Sequence, residues 1–451
     1  MNSDLSANDA WKPFEPTSEQ WNWSAAAHFF RRASFGATAS EITEALKLSP
    51  LGLARTALTR NSDSAAAISQ FDTLAKSAIP TNNADSLSAA WLYRMLHTQD
   101  PLREKMTLFW HGHFATSNEK VQNTRLMLNQ NHMIRQHATG DFKQLAHGIA
   151  KDPAMLIYLD SESNRKSHPN ENFAREIMEL FVLGEGSYTE TDVRELARCF
   201  TGWELRRDRF RFNRYQYDRD EKTVLGTTDK LTGEQGIDVV LKHSAGPMFI
   251  ARKLVRFFVC DEPELDDEYI APLAKQLREF DWNIEPVLQT ILSSRLFYSP
   301  TSMARKIRSP VELAVGLLRS LEASCNTVAL GIAVRQVGQG LFHPPNVKGW
   351  DGGRTWVNSS TLLGRANLVR ELMKSDKTKF DGGSLEKLLR RATSKDISPV
   401  AQLQQLLLAV PLRKTIAAEL DQILESSQGS RDERLRKVVH AISVQPEFQL
   451  G

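Results

Sequence analysis

An unusual polar load gathers between Asp160 and Glu179. Asp160, Ser161, Glu162, Ser163 and Asn164 lead into His168-Pro169-Asn170-Glu171-Asn172, and Arg175, Glu176 and Glu179 follow. Carboxylates held near a guanidinium suit proton transfer, because burial raises one pKa while a cation keeps another group ionised. Glu171, Arg175 and Glu179 are four apart and share one helical face, and Asn172 and Glu176 share the next. Glu171, Glu176 and Asp160 are therefore the candidate catalytic acid and base, with Arg175 and Asn172 as binding neighbours. The competing expectation is a polar network that only ties elements together.

The element that must position these groups is a helix over 168–184. Phe173, Ile177, Leu180 and Phe181 recur at helical spacing and give it an apolar stripe. Pro169 holds His168 extended, Asn170 can cap the first turn, and Gly184 is placed to end the last one.

Three further clusters exceed what packing requires. Trp110-His111-Gly112-His113-Phe114 carries two imidazoles that resemble half of a metal site, with Asp160, Glu171 or His137 as the third ligand. Ligand hydrogen bonding and plain packing are the alternatives. The run from Phe342 to Trp356 is too rich in Pro and Gly for a helix. Its Trp350 and Trp356 suit stacking on a sugar ring, beside His343, Lys348 and Arg354; plugging of the loop onto helices is equally expected. Finally, His28, Arg31 and Arg32, with the arginines near 205–217 and Lys222, could hold a carboxylate, sulfate or phosphate. Arginines on a hairpin are more often a solvated face. No Walker-type loop, GxSxG elbow or paired CxxC occurs, which argues against an NTPase, an ordinary α/β-hydrolase and a thiol–zinc module.

The 451 residues are 41% hydrophobic and 25% charged, so one large or two intimate domains can bury a core. A net charge of +3, from 57 basic and 54 acidic residues, makes no case for nucleic acid. Cys199, Cys260 and Cys325 lie far apart and read as free thiols. No apolar run reaches the ~18–20 residues of a membrane span. The polar start lacks a signal-peptide core, so a cytoplasmic chain, or one exported with a partner, is expected.

Periodicity predicts a mainly α protein, a large bundle-like globule with one small β-hairpin excursion at about 205–226. Residues 1–23 read as a disordered or extended arm, 24–374 as the main helical domain, and 375–451 as a helical scaffold. One long helix is predicted over 119–137, and 59–83 is weakly patterned.

Six stretches together resemble the bacterial family called domain of unknown function 1800. They are His28 to Gly36, Phe109 to Phe114, Asp152 through Asp160, Asn170 to Glu176, Thr201-Gly202-Trp203 and Pro344 to Trp350. The likeness covers about residues 24–372. Members are often encoded beside an exported sulfatase-like family, which implies work on envelope or extracellular material. Where the family tends to have His-Asp, this chain has Tyr217-Asp218, so no role for that histidine carries over. The resulting expectation is a hydrolase with glycosidase-type chemistry on an anionic or sulfated polysaccharide. Glu171 or Glu176 would be the acid and the other, or Asp160, the base or nucleophile. Arg175, Asn172, Arg31, Arg32, His111, His113, His343, Lys348, Trp350 and Trp356 would bind the substrate. The alternatives are a non-catalytic partner of a sulfatase-like protein and a metal-dependent hydrolase using His111 and His113. No cofactor is expected apart from that divalent metal.

Overall fold

Caps decide where most helices of this chain begin. In the computed structural model, which describes residues 5–59, 63–392 and 397–451, Thr38, Thr189, Thr232, Ser309 and Ser430 each open a helix through a reciprocal capping box. Twenty-four α-helical segments result among the described residues. The strands form three two-stranded antiparallel ribbons. The protein is mainly α.

The β excursion is two consecutive hairpins. Trp203–Arg206 pairs with Arg209–Phe212, and Lys222–Val224 with Thr227–Asp229. Arg207 and Asp208 turn the first at positive φ, as Leu225 and Gly226 turn the second. The third ribbon joins Ala323–Ser324 to Lys379–Phe380, too short to leave a sequence signal.

Two predicted elements differ. The 119–137 helix is broken into Asn118–Val121 and Thr124–His137, because Gln122 turns left-handed and Asn123 caps the second piece at Leu126 N. The weakly patterned 59–83 stretch contains a helix, Ala65–Ser77, capped by Ser64 and buried through Phe71 and Ala75. Residues 60–62 of that stretch lie outside the described residues, as do 1–4 of the N-terminal arm. The rest of the arm is docked: Ala7–Ala10 is helical, the Trp11 indole donates to Tyr269 O at 2.6 Å, and Pro13 bridges Ser294.

The buried side chains fall into two cores. The first runs from the Trp23–Ala33 helix through Phe173–Val182 to the helices ending at Ser293. The second collects Leu87–Leu96, the Pro310–Ser320 helix and the C-terminal helices. The Pro101–His113 helix is the wall between them, giving Met106, Phe109 and Trp110 to one side and Leu108 to the other. The C-terminal segment is latched across this wall. Arg31 donates to Leu408 O at 2.5 Å, Arg308 donates to Leu407 O and Leu450 O at 2.9 Å, and Gly451 N donates to Lys306 O at 2.8 Å. Cys199 and Cys260 are buried, Cys325 is half-buried, and all three are free thiols. Among the described residues no helix is long and apolar enough to cross a membrane.

Candidate functional site

A cavity of about 230 Å³ opens at the seam between the two cores. Phe109, Gly112 and His113 of the wall helix form one side, and Lys253, Arg256 and Phe257 of the Ala245–Phe258 helix form another. Lys348, Trp350 and Trp356 of the 342–356 loop cover it, and Lys306, Ser309 and Glu312 floor it.

The loop is fixed by the turn it covers. His111 Nε2 accepts the Phe342 N–H at 3.1 Å, and Phe342 O accepts from Asn118 N at 2.9 Å. Phe342 itself is left-handed, φ +63°, a conformation that a bulky residue keeps only when its neighbours hold it. Gly349, φ +82°, lies so close to the wall helix that a Cβ there would stand 2.1 Å from Gly112 O. Only glycine lets the backbones meet. Arg256 ties down the far end by donating to Asp351 O at 3.0 Å.

Charge in the cavity is unbalanced. Lys105 pairs with Glu312 at 2.5 Å, Lys306 with Asp261 at 3.2 Å, and Lys348 lies 3.7 Å from Asp351. Burial pushes the Glu312 carboxyl up, but Lys105 and Lys306 outweigh it and hold the group ionised. Lys253 and Arg256 remain as cations lining the cavity without a carboxylate partner among the described residues. Behind them Arg32 is 1% exposed; it donates to Ser302 O, and its Nε and Nη1 have no hydrogen-bond partner among the described residues. Such a surplus of donors in a poorly hydrated place favours an anion.

Lys253 and His113 form the centre of this surplus. The Lys253 ammonium sits 3.1 Å from His113 Nδ1 and 3.3 Å from Leu180 O. On the other side of the ring His113 Nε2 is 2.9 Å from Phe181 O. A carbonyl can only accept, so Nε2 carries the hydrogen and Nδ1 receives the lysine. Burial, then Lys253, holds His113 well below its usual pKa, so it is neutral. Burial, then Arg256 and Lys348, pushes Lys253 down to about 8.

Leu180 O and Phe181 O are available because the helix widens there. The predicted 168–184 helix starts as α over Asn172–Glu176 and continues as π over Ile177–Val182. Leu183 N and Gly184 N both return to Met178 O, at 2.9 and 3.1 Å, which leaves the last carbonyls for side chains.

The chain matches the family model described as "Protein of unknown function (DUF1800)" over residues 28–450. It belongs to this family. The match runs through the C-terminal helices, beyond the part that carries the recognisable stretches, in keeping with the latch that Arg31 and Arg308 make. No curated protein and no solved structure matches the chain.

In this DUF1800 chain the candidate residues separate into four places. His113, Lys348, Trp350 and Trp356 line the cavity, and Arg32 lies behind it. His111, which is buried, and His343 pack with the loop but do not line the cavity. The His111 ring packs on Trp91, Phe342 and Trp350, and His343 Nδ1 is 3.7 Å from Glu119. Arg31 serves the C-terminal latch.

Asp160, Glu171, Asn172, Arg175 and Glu176 are in the fourth place, at the start of the 172–182 helix. None of them lines the cavity. Asp160 pairs with Lys120 at 2.7 Å, and Arg175 holds Glu190 at 2.7 Å and Glu171 at 3.4 Å. Asn172 donates to Leu159 O at 3.1 Å, closing the preceding loop. Glu176 is half-buried, and burial, then Glu179, raises its pKa. Glu179 accepts the Tyr188 hydroxyl at 2.6 Å.

The expected metal site is not assembled. Residues two apart on a helix diverge, so His111 faces the loop while His113 faces the π turn. Among the described residues no group of three His, Cys, Asp or Glu is placed to hold an ion. The expected cluster of Arg31, Arg32 and the hairpin cations is not assembled either. Lys222 is buried on Asp218 O and Asp220 O at 2.7 and 2.9 Å, while Arg207, Arg209 and Arg211 are exposed.

Lys253, Arg256, Asp261, Lys306 and Glu312 were missed. Lys253 and Arg256 stand in an ordinary amphipathic helix, Glu312 in a capping box, and Asp261 and Lys306 in short connections, where a lone charge reads as surface. The one available signal was the basic triplet Arg252, Lys253, Arg256 on a helix rich in buried apolar residues.

Proposed function

We propose that this protein binds an anionic, ring-bearing ligand, an acidic or sulfated sugar residue of a polysaccharide, in the cavity between its cores. The observation that carries this reading is the pairing of two uncompensated cations, Lys253 and Arg256, with four rings, Phe109, Phe257, Trp350 and Trp356. Cations take the carboxylate or sulfate, and the rings take the apolar face of the sugar. At about 230 Å³ the space is smaller than the ~300–1,000 Å³ of drug-sized pockets. It suits one ring of a polymer. The test is calorimetric titration with glucuronate, a sulfated hexosamine and neutral glucose. The charged sugars bind and glucose does not, and Arg256→Gln weakens the charged ones about tenfold, ~1.4 kcal/mol. Equal binding of all three sugars removes the reading.

A hydrolytic activity is the second reading, and Glu176 favours it. Its half-buried, raised carboxyl is a fit general acid, with Glu171 or Asp160 as base. Both candidate bases are ion-paired, Asp160 with Lys120 and Glu171 with Arg175. New reducing ends from an acidic-polysaccharide panel test it. Undiminished activity in both Glu171→Gln and Glu176→Gln sinks the assignment.

A further inference from the structure

We infer that the Lys253 amine forms a Schiff base with a carbonyl-bearing anion in the cavity, with His113 moving the proton. The inference rests on the proposed anion site and adds a reacting atom to it. Its ligand class is a 2-oxo acid, or a uronic acid in its open-chain aldehyde form.

The geometry around Nζ carries the argument. A neutral amine has two N–H donors and one lone pair. Here two acceptors are in place for the donors, Leu180 O at 3.3 Å and His113 Nδ1 at 3.1 Å. No other group among the described residues bonds this nitrogen, so its lone pair is left free, and Lys253 lines the cavity. Burial, then the like charges of Arg256 and Lys348, disfavours the Lys253 cation, and no carboxylate pairs with it among the described residues, so its neutral form is accessible. The Phe249 ring, 4.7 Å away, favours the cation but does not block the nitrogen.

Lys105 shows why depressed basicity alone would not suffice. Its pKa is lowered too, but it is 1% exposed and held by Glu312 at 2.5 Å. It is sealed and paired, whereas Lys253 is half-buried and open.

The step balances without a further reactant. The amine nitrogen attacks the carbonyl carbon, and the C=O electron pair moves to oxygen. One nitrogen proton passes through His113 Nδ1 to that oxygen, giving a carbinolamine. Loss of the hydroxyl with a second proton, as water, leaves the C=N bond. Arg256 holds the carboxylate of the ligand meanwhile.

The experiment uses the full chain with limiting borohydride and three probes: pyruvate, glucuronate and the carbonyl-free anion lactate. Peptide mapping by mass spectrometry locates the reduced adduct, and calorimetry measures binding of each anion separately. The expected result is one adduct on Lys253 with pyruvate or glucuronate, at least tenfold above that on any exposed lysine and reduced by excess lactate. Which probe reacts identifies the source of the carbonyl. Lys253→Arg keeps the charge but offers no primary amine, and it loses the adduct. Adducts spread over exposed lysines with Lys253 unmodified overturn the inference. If the anions still bind, the binding proposal survives; if they do not, both fail.

Discussion

One short helix faces two chemically different regions. Toward the interior its π turn offers Leu180 O and Phe181 O to Lys253 and His113, at the edge of the cavity. Toward the surface its first turn carries Glu171, Arg175 and Glu176, with Arg175 34% and Glu171 40% exposed in their ion pair. Both regions are rich in charge, but burial changes what the charge does. Exposed pairs are screened and nearly neutral in energy. In the cavity, cations without a carboxylate partner among the described residues keep most of their field, which favours an anion there.

Backbone crowding provides the largest contrast. Gly349→Ala places a Cβ 2.1 Å from Gly112 O at φ +82°, and the loop must leave the wall helix. A loss on the order of 3 kcal/mol in denaturant unfolding is expected, together with the anion binding. Gly186, beside the carboxylate helix, has a similar φ of +81° but open space around its Cβ position. Gly186→Ala should cost only ~1 kcal/mol and leave binding intact. Equal costs at the two glycines would show that the close approach of loop and helix is unimportant.

The next contrast exchanges cations. Lys253→Met should weaken glucuronate binding at least tenfold, ~1.4 kcal/mol or more. Lys120→Met, which removes the exposed partner of Asp160, should leave it unchanged. The affinity should also fall as pH rises through about 8, because Lys253 carries its charge below that value and loses it above. The groups facing it are His113, neutral in this range, and the basic side chains of Arg256 and Lys348. Lys253→Arg should therefore flatten the pH profile. A wild-type profile that is flat through pH 8 assigns the anion to other cations.

The contrast also explains what was legible in the sequence. The helical class, most helix boundaries and the Trp350 loop could be read because caps, apolar periodicity and a Pro/Gly-rich run are local signals. The helix at 172–182 was legible as an element, but its π widening was not, since Met178 accepting from both Leu183 and Gly184 depends on how Gly184 packs against Phe249. Half of the cavity was legible through His113, Lys348, Trp350 and Trp356. The other half was hidden, because whether Lys253 or Lys306 points to water or to a seam between cores is decided by tertiary packing. The richest polar stretch, Asp160 to Glu179, drew attention for its composition. Much of it closes a loop: Asn170 donates to Asp160 O at 2.6 Å and its own Oδ1 accepts from Asn172 N at 2.8 Å.

The smallest effect is expected where that polar load is most exposed. Glu171→Gln removes the longer of the two ion pairs of Arg175, at 3.4 Å, while the bidentate contact to Glu190, at 2.7 and 2.8 Å, still orients the guanidinium. An i,i+4 pair of this exposure contributes about 0.3–0.5 kcal/mol, so the stability change in denaturant unfolding should stay below about 0.5 kcal/mol. The affinity for glucuronate should not move, because no carboxylate of this helix lines the cavity. A measured loss of anion affinity in Glu171→Gln would mean that the ligand reaches both sides of the helix. The π turn would then join cavity and carboxylates into one extended site, and the hydrolytic reading would gain the substrate contact it lacks.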